Sequence, residues 1–161
     1  MPELLLARHA KSDWPVGVAD HQRPLLPRGR RDAHALGVWL SAKASLDRVV
    51  VSTATRTRQT WEIVSSHLDT PVNCEFTDDI YEADWRDLLA VARTRGEGEC
   101  TLLIGHNPGL ADLASVLMAN SLPAMQERFP TSAVARLSFS GDWAQLAESE
   151  AELVEFVVPR G

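Results

Sequence analysis

Three short apolar runs in this chain are each followed at once by polar residues. The runs lie within residues 4–7, 48–52 and 101–104. Apolar runs of this length between polar residues are typical of strands that are buried on both faces of a parallel sheet. Weaker strand patterns follow at 73–77, at 134–139, where apolar and polar residues alternate, and at 153–158.

Four further segments repeat their buried positions at three- and four-residue spacing, which predicts amphipathic helices between the strands. The first of these helices begins near Arg28. The buried faces comprise Ala33, Leu36, Leu40 and Ala44; Trp61, Val64, Ser65 and Leu68; Trp85, Leu88, Leu89 and Ala92; and Leu110, Leu113, Ala114 and Leu117. This alternation of strands and helices predicts an α/β fold with a mostly parallel sheet.

Composition and charge favour a single domain and argue against nucleic-acid binding and membrane insertion. The chain has 161 residues, which fits a single domain over 1–161, and 45% of them are apolar. A formal net charge of −6 argues against non-specific nucleic-acid binding. No apolar run approaches the ~20 residues that span a bilayer, and no secretory signal precedes the first strand. We therefore expect a cytoplasmic protein that acts neither on nucleic acid nor at a membrane.

The sequence offers no pattern for a metal or a cofactor. Cys74 and Cys100 have no histidine neighbours at metal-ligand spacing, and in a cytoplasmic protein they are expected to be reduced thiols. There is no Walker-type glycine loop and no carboxylate cluster suited to magnesium. Any phosphate chemistry is therefore expected to proceed without a metal and without a cofactor.

Basic and imidazole side chains follow each of the three predicted buried strands. Arg8 and His9 follow the first strand, Arg56 lies in the first turn of the helix after the second, and His106 follows the third. In open α/β sheets the residues beyond the carboxyl ends of the strands form the ligand crevice. One histidine at a strand end is usually structural, but the repetition of the pattern favours a common site.

The residues expected to cap the second and fourth helices lie next to the same site. Ser52 or Thr53 is the expected N-cap of the second helix, which places Arg56 beside unpaired backbone amides that attract an anion. Asn107 is a suitable N-cap for the fourth helix, with Pro108 as its first residue. An arginine that binds a phosphate bidentately, beside a neutral histidine that attacks phosphorus, would make a phosphatase with a phosphohistidine intermediate.

Three arginines occupy the first turn of the first helix, at Arg28, Arg30 and Arg31. This is the unfavourable end of the helix dipole for a cation. We interpret them as a solvated basic face. The alternative is a basic rim that attracts a phosphorylated partner.

The motifs at the three strand ends resemble those of the histidine phosphatase superfamily. They read R-H-A-K-S after the first strand, S-T-A-T-R-T-R-Q-T after the second and G-H-N-P-G after the third. The short length and the K-S after R-H-A resemble the compact SixA-like phosphohistidine phosphatase branch, over residues 4–159. The resemblance implies a three-layer α/β sandwich with a mostly parallel central sheet, like that of phosphoglycerate mutase.

The resemblance also implies a role for each matching residue. His9 would be the nucleophile, and Arg8 and Arg56 would bind the phosphate. His106 would bind the phosphate and stabilise the transition state. The family's first motif is most often R-H-G, and Ala10 stands here in place of the glycine.

Three further residues are weaker candidates for binding the phosphate. Lys11 and Ser12 follow the first motif as in SixA-like members, and Lys11 either reaches the phosphate or faces water. Asn107 either donates to the site or only caps its helix, and capping is the safer interpretation.

The motifs do not identify the general acid. Ester hydrolysis needs a proton for the leaving oxygen, normally from a carboxylic acid of raised pKa. Larger members supply a Glu from the region before the third strand, and Glu82 is the nearest match, with Asp79 and Asp84 as rivals. A phosphohistidine substrate demands less of an acid, because the leaving imidazole is readily protonated near neutral pH.

Three functions remain under consideration. The first is hydrolysis of phosphohistidine on a protein. The second is hydrolysis of a small phosphate ester, such as a sugar phosphate or nucleotide, with residues 14–27 as a cap and Trp14 or Trp85 stacking on a ring. The third is a phospho-ligand binding module with little catalysis, which the presence of both histidines and both arginines disfavours. The expected partner is a phosphorylated protein or a small phosphorylated substrate.

Overall fold

A computed structural model describes residues 1–119 and 128–161 of the chain. Within these residues the strands are β1 (Glu3–Arg8), β2 (Arg48–Ser52), β3 (Asn73–Thr77), β4 (Cys100–Gly105), β5 (Val134–Phe139) and β6 (Ala151–Val157). The helices are α1 (Pro27–Lys43), α2 (Thr55–Ser65), α3 (Trp85–Arg95) and α4 (Gly109–Leu117). Single 3₁₀ turns cover Asp20–Gln22, Asp78–Ile80 and Trp143–Gln145.

The strands form one sheet in the order β3-β2-β4-β1-β5-β6. Strands β3, β2, β4 and β1 are mutually parallel, while β5 runs antiparallel to both β1 and β6. The predicted strands are thus confirmed, and so is the mostly parallel sheet. β1 and β4 lie side by side with Leu5 opposite Leu102 and Arg8 opposite Gly105. This register places the residues after β1 and β4 next to one another.

Two hydrophobic cores lie on opposite faces of the sheet. Leu4 and Leu6 of β1 pack with residues of α3 and α4 on one face. Leu5 and Ala7 pack with residues of α1 and α2 on the other. Alternate side chains of one strand therefore enter different cores, as the strand pleat requires. The expected three-layer sandwich is confirmed, because a helix layer covers each face of the sheet.

Two details of the predicted helices were wrong. α2 ends at Ser65, so Leu68 packs against the core from beyond the helix rather than from its face. Ala44 is the C-cap of α1, just outside it. Among the described residues no helix combines the length and the apolar character that crossing a membrane would require.

Candidate active site

The carboxyl ends of β1, β2 and β4 meet at one edge of the sheet, where they place two imidazoles side by side. The backbone N–H of His9 donates to the Gly105 carbonyl at 3.1 Å, which ties the end of β1 to the end of β4. The ring centroids of His9 and His106 are 5.4 Å apart. Both rings, with Arg8 and Arg56, line a cavity of about 330 Å³. We call this the strand-end cavity.

The protonation of His9 follows from its surroundings. Its Nδ1 lies 2.7 Å from the Ala10 carbonyl oxygen, which only accepts, so Nδ1 carries the proton and Nε2 keeps a lone pair. The Ala10 N–H donates to Thr60 Oγ1 at 3.1 Å, which fixes the backbone that orients the ring. Burial lowers the pKa of His9 well below 6.5, and His106, Arg8 and Arg56 lower it further, against the bond to Ala10. His9 is therefore a neutral imidazole whose Nε2 makes no hydrogen bond to residues 1–119 or 128–161.

His106 is neutral for a similar reason. Burial, followed by the charge of Arg56, lowers its pKa to about 3. Its Nε2 lies 2.8 Å from Ser52 Oγ. That hydroxyl also accepts from the Ala54 N–H at 3.3 Å. It keeps one proton and a second acceptor position, so it can donate to His106 Nε2 or accept from it, and both ring tautomers fit the contact. Nδ1 is buried and finds no partner among the described residues.

The two guanidiniums also keep uncommitted donors. Arg8 donates through Nη1 to the Phe129 carbonyl at 3.2 Å, and Arg56 donates through Nη1 to the Asp20 carbonyl at 2.7 Å. The Nε of each is buried without a partner in the described part of the chain. Burial and the nearby Arg56 charge lower the pKa of Arg8, but a guanidinium stays charged. Buried N–H donors on fixed cations are suited to binding a phosphoryl group.

Sequence reasoning missed Asp20, which holds Arg56 in place. The Asp20 carboxylate accepts from Arg56 Nη2 at 3.2 Å, from Arg23 Nη1 at 2.9 Å and from the Tyr81 hydroxyl at 2.5 Å. The Tyr81 hydrogen bond has the largest effect and lowers the pKa of Asp20; burial opposes it, and the Arg23 hydrogen bond lowers the pKa further. Burial, followed by the hydrogen bond to Asp20, raises the pKa of Tyr81 to about 12. Asp20 is therefore an anion that accepts hydrogen bonds. It lies in a segment without periodicity, and its partners Arg56 and Tyr81 are 36 and 61 residues away, so no local pattern revealed it.

The weaker candidates divide between the cavity and its support. Lys11, Ser12 and Asn107 all line the strand-end cavity. The Ser12 hydroxyl accepts from Arg23 Nη2 at 2.6 Å, which is a supporting contact. The Asn107 amide donates to the Phe129 carbonyl at 2.6 Å, and its Oδ1 is buried without a partner among the described residues.

Both N-cap predictions were wrong. α2 has Ala54 at its N-cap and no side-chain cap bond, because the Ser52 hydroxyl contacts His106 and the Thr53 hydroxyl donates to the Asp78 carboxylate. α4 has Pro108 at its N-cap, because the Asn107 side chain reaches across to Phe129 rather than to its own helix. In both cases a tertiary hydrogen bond replaces the local cap.

The carboxylates considered as the acid lie outside the strand-end cavity. Glu82 is exposed and lines a different cavity of about 420 Å³, together with Asp79. Asp79 forms an ion pair with Arg95. Asp84 caps α3 by accepting from the N–H groups of Arg86 and Asp87 at 2.9 and 3.0 Å.

Two tryptophans were considered as stacking surfaces for a ring. Trp14 is 74% exposed and lines the strand-end cavity, with the Arg23 guanidinium 3.2 Å from its ring centroid. Trp85 instead packs against the core under α3. Only Trp14 is therefore placed to touch a ligand.

Comparison with known proteins identifies the family. The model of the histidine phosphatase superfamily, branch 1, matches residues 4–95. An uncharacterized protein of Mycobacterium tuberculosis is 40% identical over 161 residues, covering 95% of this chain and 99% of that protein. The chain belongs to the histidine phosphatase superfamily. Within this superfamily the chain is a phosphatase.

Solved histidine phosphatases share the whole fold. A protein of Nakamurella multipartitia assigned as the phosphohistidine phosphatase SixA superposes with a TM-score of 0.86 and 31% identity, covering 98% of this chain and 96% of that one. The protein histidine phosphatase SixA complexed with tungstate gives a TM-score of 0.80 at 24% identity, covering 98% and 97%, and supports the fold alone. The SixA-like resemblance and the phosphoglycerate-mutase-like fold are thereby confirmed.

Proposed function

We propose that this histidine phosphatase hydrolyses phosphohistidine on a protein through a phosphorylated His9. The observation that carries the proposal is a neutral His9 held beside two guanidiniums, in a cavity whose described wall residues include no carboxylate. Asp20, which holds Arg56 in place, is anionic and accepts hydrogen bonds. A phosphoramidate suits such a site, because its leaving imidazole takes a proton near neutral pH without a carboxylic acid. The structural similarity to SixA supports the same substrate class.

The reaction proceeds in two displacements at phosphorus. In the first, His9 Nε2 attacks, the P–N bond to the substrate imidazole breaks, and that imidazole leaves with a proton from solvent. In the second, water attacks phospho-His9, the bond to Nε2 breaks, and one proton of the water leaves as inorganic phosphate is released. Each step spreads negative charge over the three equatorial phosphoryl oxygens.

The neighbouring donors stabilise that charge. Arg8 and Arg56 supply fixed positive charge and free Nε–H donors. His106, neutral at physiological pH, acts as a hydrogen-bond donor through Nδ1 rather than as a cation. Lys11, on the cavity wall, adds a mobile positive charge, and Asn107 adds an amide. Asp20 is a positioning residue that fixes Arg56.

The test compares phosphate release from a phosphohistidine peptide and from an aryl phosphate, with His9→Ala and Glu82→Gln beside the parent. We expect the peptide to be cleaved faster, His9→Ala to lose at least about 10³-fold in turnover, and Glu82→Gln to match the parent. Turnover by His9→Ala at the parental rate would contradict the nucleophile.

The same comparison decides between substrate classes. Faster cleavage of the ester, with most of that rate lost in Glu82→Gln, would make Glu82 the general acid and favour a small-molecule phosphomonoesterase. Asp84→Asn is a matched carboxylate control, because Asp84 is occupied in capping α3 and an asparagine can cap a helix in the same way. Circular dichroism of each variant separates loss of fold from loss of chemistry.

A further inference from the structure

A second cavity lies directly beside the strand-end cavity. It has a volume of about 520 Å³ and shares three wall residues with its neighbour, namely Arg8, Lys11 and Thr131. Its remaining wall includes Arg28, Asp32 and Arg160. We call it the annexe cavity. Because the two cavities have a common wall, a substrate with its phosphoryl group at His9 has the annexe cavity within reach of its next group.

The annexe cavity is positively charged in a chain whose net charge is −6. Four cations line it, and Asp32 is the carboxylate among its wall residues. The Asp32 carboxylate is already paired, because it lies 3.4 Å from Arg160 and accepts from the Gly161 N–H at 3.1 Å. Arg160 therefore neutralises the charge of Asp32, and the wall holds no second carboxylate to pair with the other three cations.

Two of the cations have no partner within the described ranges. Neither the Lys11 ammonium nor the Arg28 guanidinium makes a hydrogen bond or an ion pair to residues 1–119 or 128–161. Arg28 is exposed at the first turn of α1, where the helix dipole disfavours a cation. An unpaired cation at this position, on a cavity wall, is the arrangement expected for binding an anion.

The backbone segments that carry these two cations lie in a fixed relation to each other. The Lys11 carbonyl accepts from the Leu26 N–H at 2.9 Å. One turn on, Gly29 packs so closely that an added Cβ would lie 2.0 Å from the same carbonyl oxygen. The start of α1 therefore rests against the backbone of Lys11, next to His9. The fold therefore fixes the position of the Arg28 backbone relative to the end of β1, from which the Arg28 side chain reaches the wall of the annexe cavity.

We propose that the annexe cavity binds a carboxylate carried by the same substrate molecule, next to the phosphoryl group. Lys11 and Arg28 receive the carboxylate, while Arg8 separates it from the phosphoryl position. The proposal rests on the proposed function of the strand-end cavity. The carboxylate has two chemical sources, an acidic side chain that flanks the phosphohistidine or a carboxyl group of a small phosphate ester.

The test uses two matched substrate pairs and one matched variant pair. The substrates are phosphohistidine peptides with Glu or Gln beside the phosphohistidine, and carboxyphenyl phosphate against phenyl phosphate. The variants are Arg28→Gln and, as control, Arg30→Gln, an exposed arginine of the same turn that lines neither cavity. We expect Arg28→Gln to lower kcat/KM about three- to fivefold for the carboxylate member of a pair and to leave the other member unchanged. Arg30→Gln should change neither.

The substrate pair that responds identifies the source of the carboxylate. Equal kcat/KM for both members of both pairs, or equal effects of Arg28→Gln and Arg30→Gln, would overturn the proposal. If no substrate were turned over, the proposed function would fail separately. Calorimetric binding of the same four compounds to the parent and to Arg28→Gln would still decide whether the annexe cavity prefers the carboxylate.

Discussion

At the scale of single residues, the site depends on two histidines that stay neutral for different uses. His9 keeps a lone pair on Nε2 because the Ala10 carbonyl fixes its proton on Nδ1. In the proposed reaction His106 carries its proton on Nδ1, with the Ser52 hydroxyl donating to its Nε2. One imidazole is thus prepared to attack and the other to donate. Both rings are buried among cations and stay unprotonated in the fold, whereas the unfolded chain binds protons at these histidines in acid. The free energy of unfolding therefore falls as the pH is lowered.

The stability of the fold should therefore depend on pH through His106. Its pKa is about 3 in the fold and 6.5 as the ordinary value, so between these pH values the unfolded state binds one more proton. The contribution is fully present above about pH 6.5 and is lost as the pH falls toward 3. We expect urea unfolding to show that acidification from about pH 7 to about pH 5 costs the parent roughly 2 kcal/mol more than it costs His106→Gln.

Arg30→Gln is the control for this experiment, because Arg30 is an exposed residue of α1 that does not line the strand-end cavity and carries no imidazole. It should lose as much stability on acidification as the parent. Identical pH dependence in the parent and in His106→Gln would mean that the folded state accepts the proton at His106, and the neutral donor role would have to be abandoned.

At the scale of secondary-structure elements, helix α1 positions the residues that follow the nucleophile. Gly29 has no side chain, and an added Cβ would meet the Lys11 carbonyl oxygen at 2.0 Å and its carbonyl carbon at 2.9 Å. Both atoms are backbone and cannot rotate away. Gly29→Ala should therefore push α1 from β1, destabilise the protein by about 1–3 kcal/mol despite the better helix propensity of Ala, and lower kcat/KM.

Gly37→Ala is the matched comparison in the same helix. There the added Cβ meets mainly the His67 ring, at 2.6 Å, with the Val64 Cα at 3.1 Å, and no residue of the strand-end cavity. We expect it to leave kcat/KM at the parental value. Unfolding midpoints and kinetics of the two variants measure both effects. Parental kcat/KM in Gly29→Ala would show that the fit of α1 on Lys11 does not matter for catalysis.

The secondary-structure elements also show which parts of the fold and of the site could be predicted from the sequence. Strands β1, β2 and β4 were predictable because their side chains are buried on both faces, which leaves unbroken apolar runs. The residues beyond their ends were predictable because parallel strands bring those ends together. The N-caps were not, since Ser52 and Asn107 bond to distant partners. Asp20 was not predictable either, because its partners meet it only in the folded molecule.

At the scale of the whole molecule, two electrostatic effects oppose each other when an anionic substrate approaches. The net charge of −6 repels it over the whole surface. The cations of the two adjoining cavities attract it locally, and they are Arg8, Lys11, Arg23, Arg28, Arg56 and Arg160. Screening by salt decides which effect is larger, because charges further apart than about 10 Å hardly interact at 0.1 M salt. Salt weakens the repulsion by the dispersed negative charge first, so at moderate ionic strength the attraction by the nearby cations is the larger effect.

We therefore expect kcat/KM for the phosphohistidine peptide to fall several-fold as NaCl rises from about 50 to about 500 mM, since the remaining attraction weakens as the screening length shrinks. Lys11→Gln should make kcat/KM less dependent on salt, because Lys11 belongs to both cavities.

Glu152→Gln is the control for this experiment. Glu152 is exposed on β6 and pairs with Ser138 of β5, and Ser138 pairs with Glu3 at the start of β1. Glu152 therefore lies at the end of the sheet opposite to the strand-end cavity. It should leave the slope unchanged. A kcat/KM that rises with salt would mean that the net negative charge governs the encounter and that the cations of the cavities act only after binding.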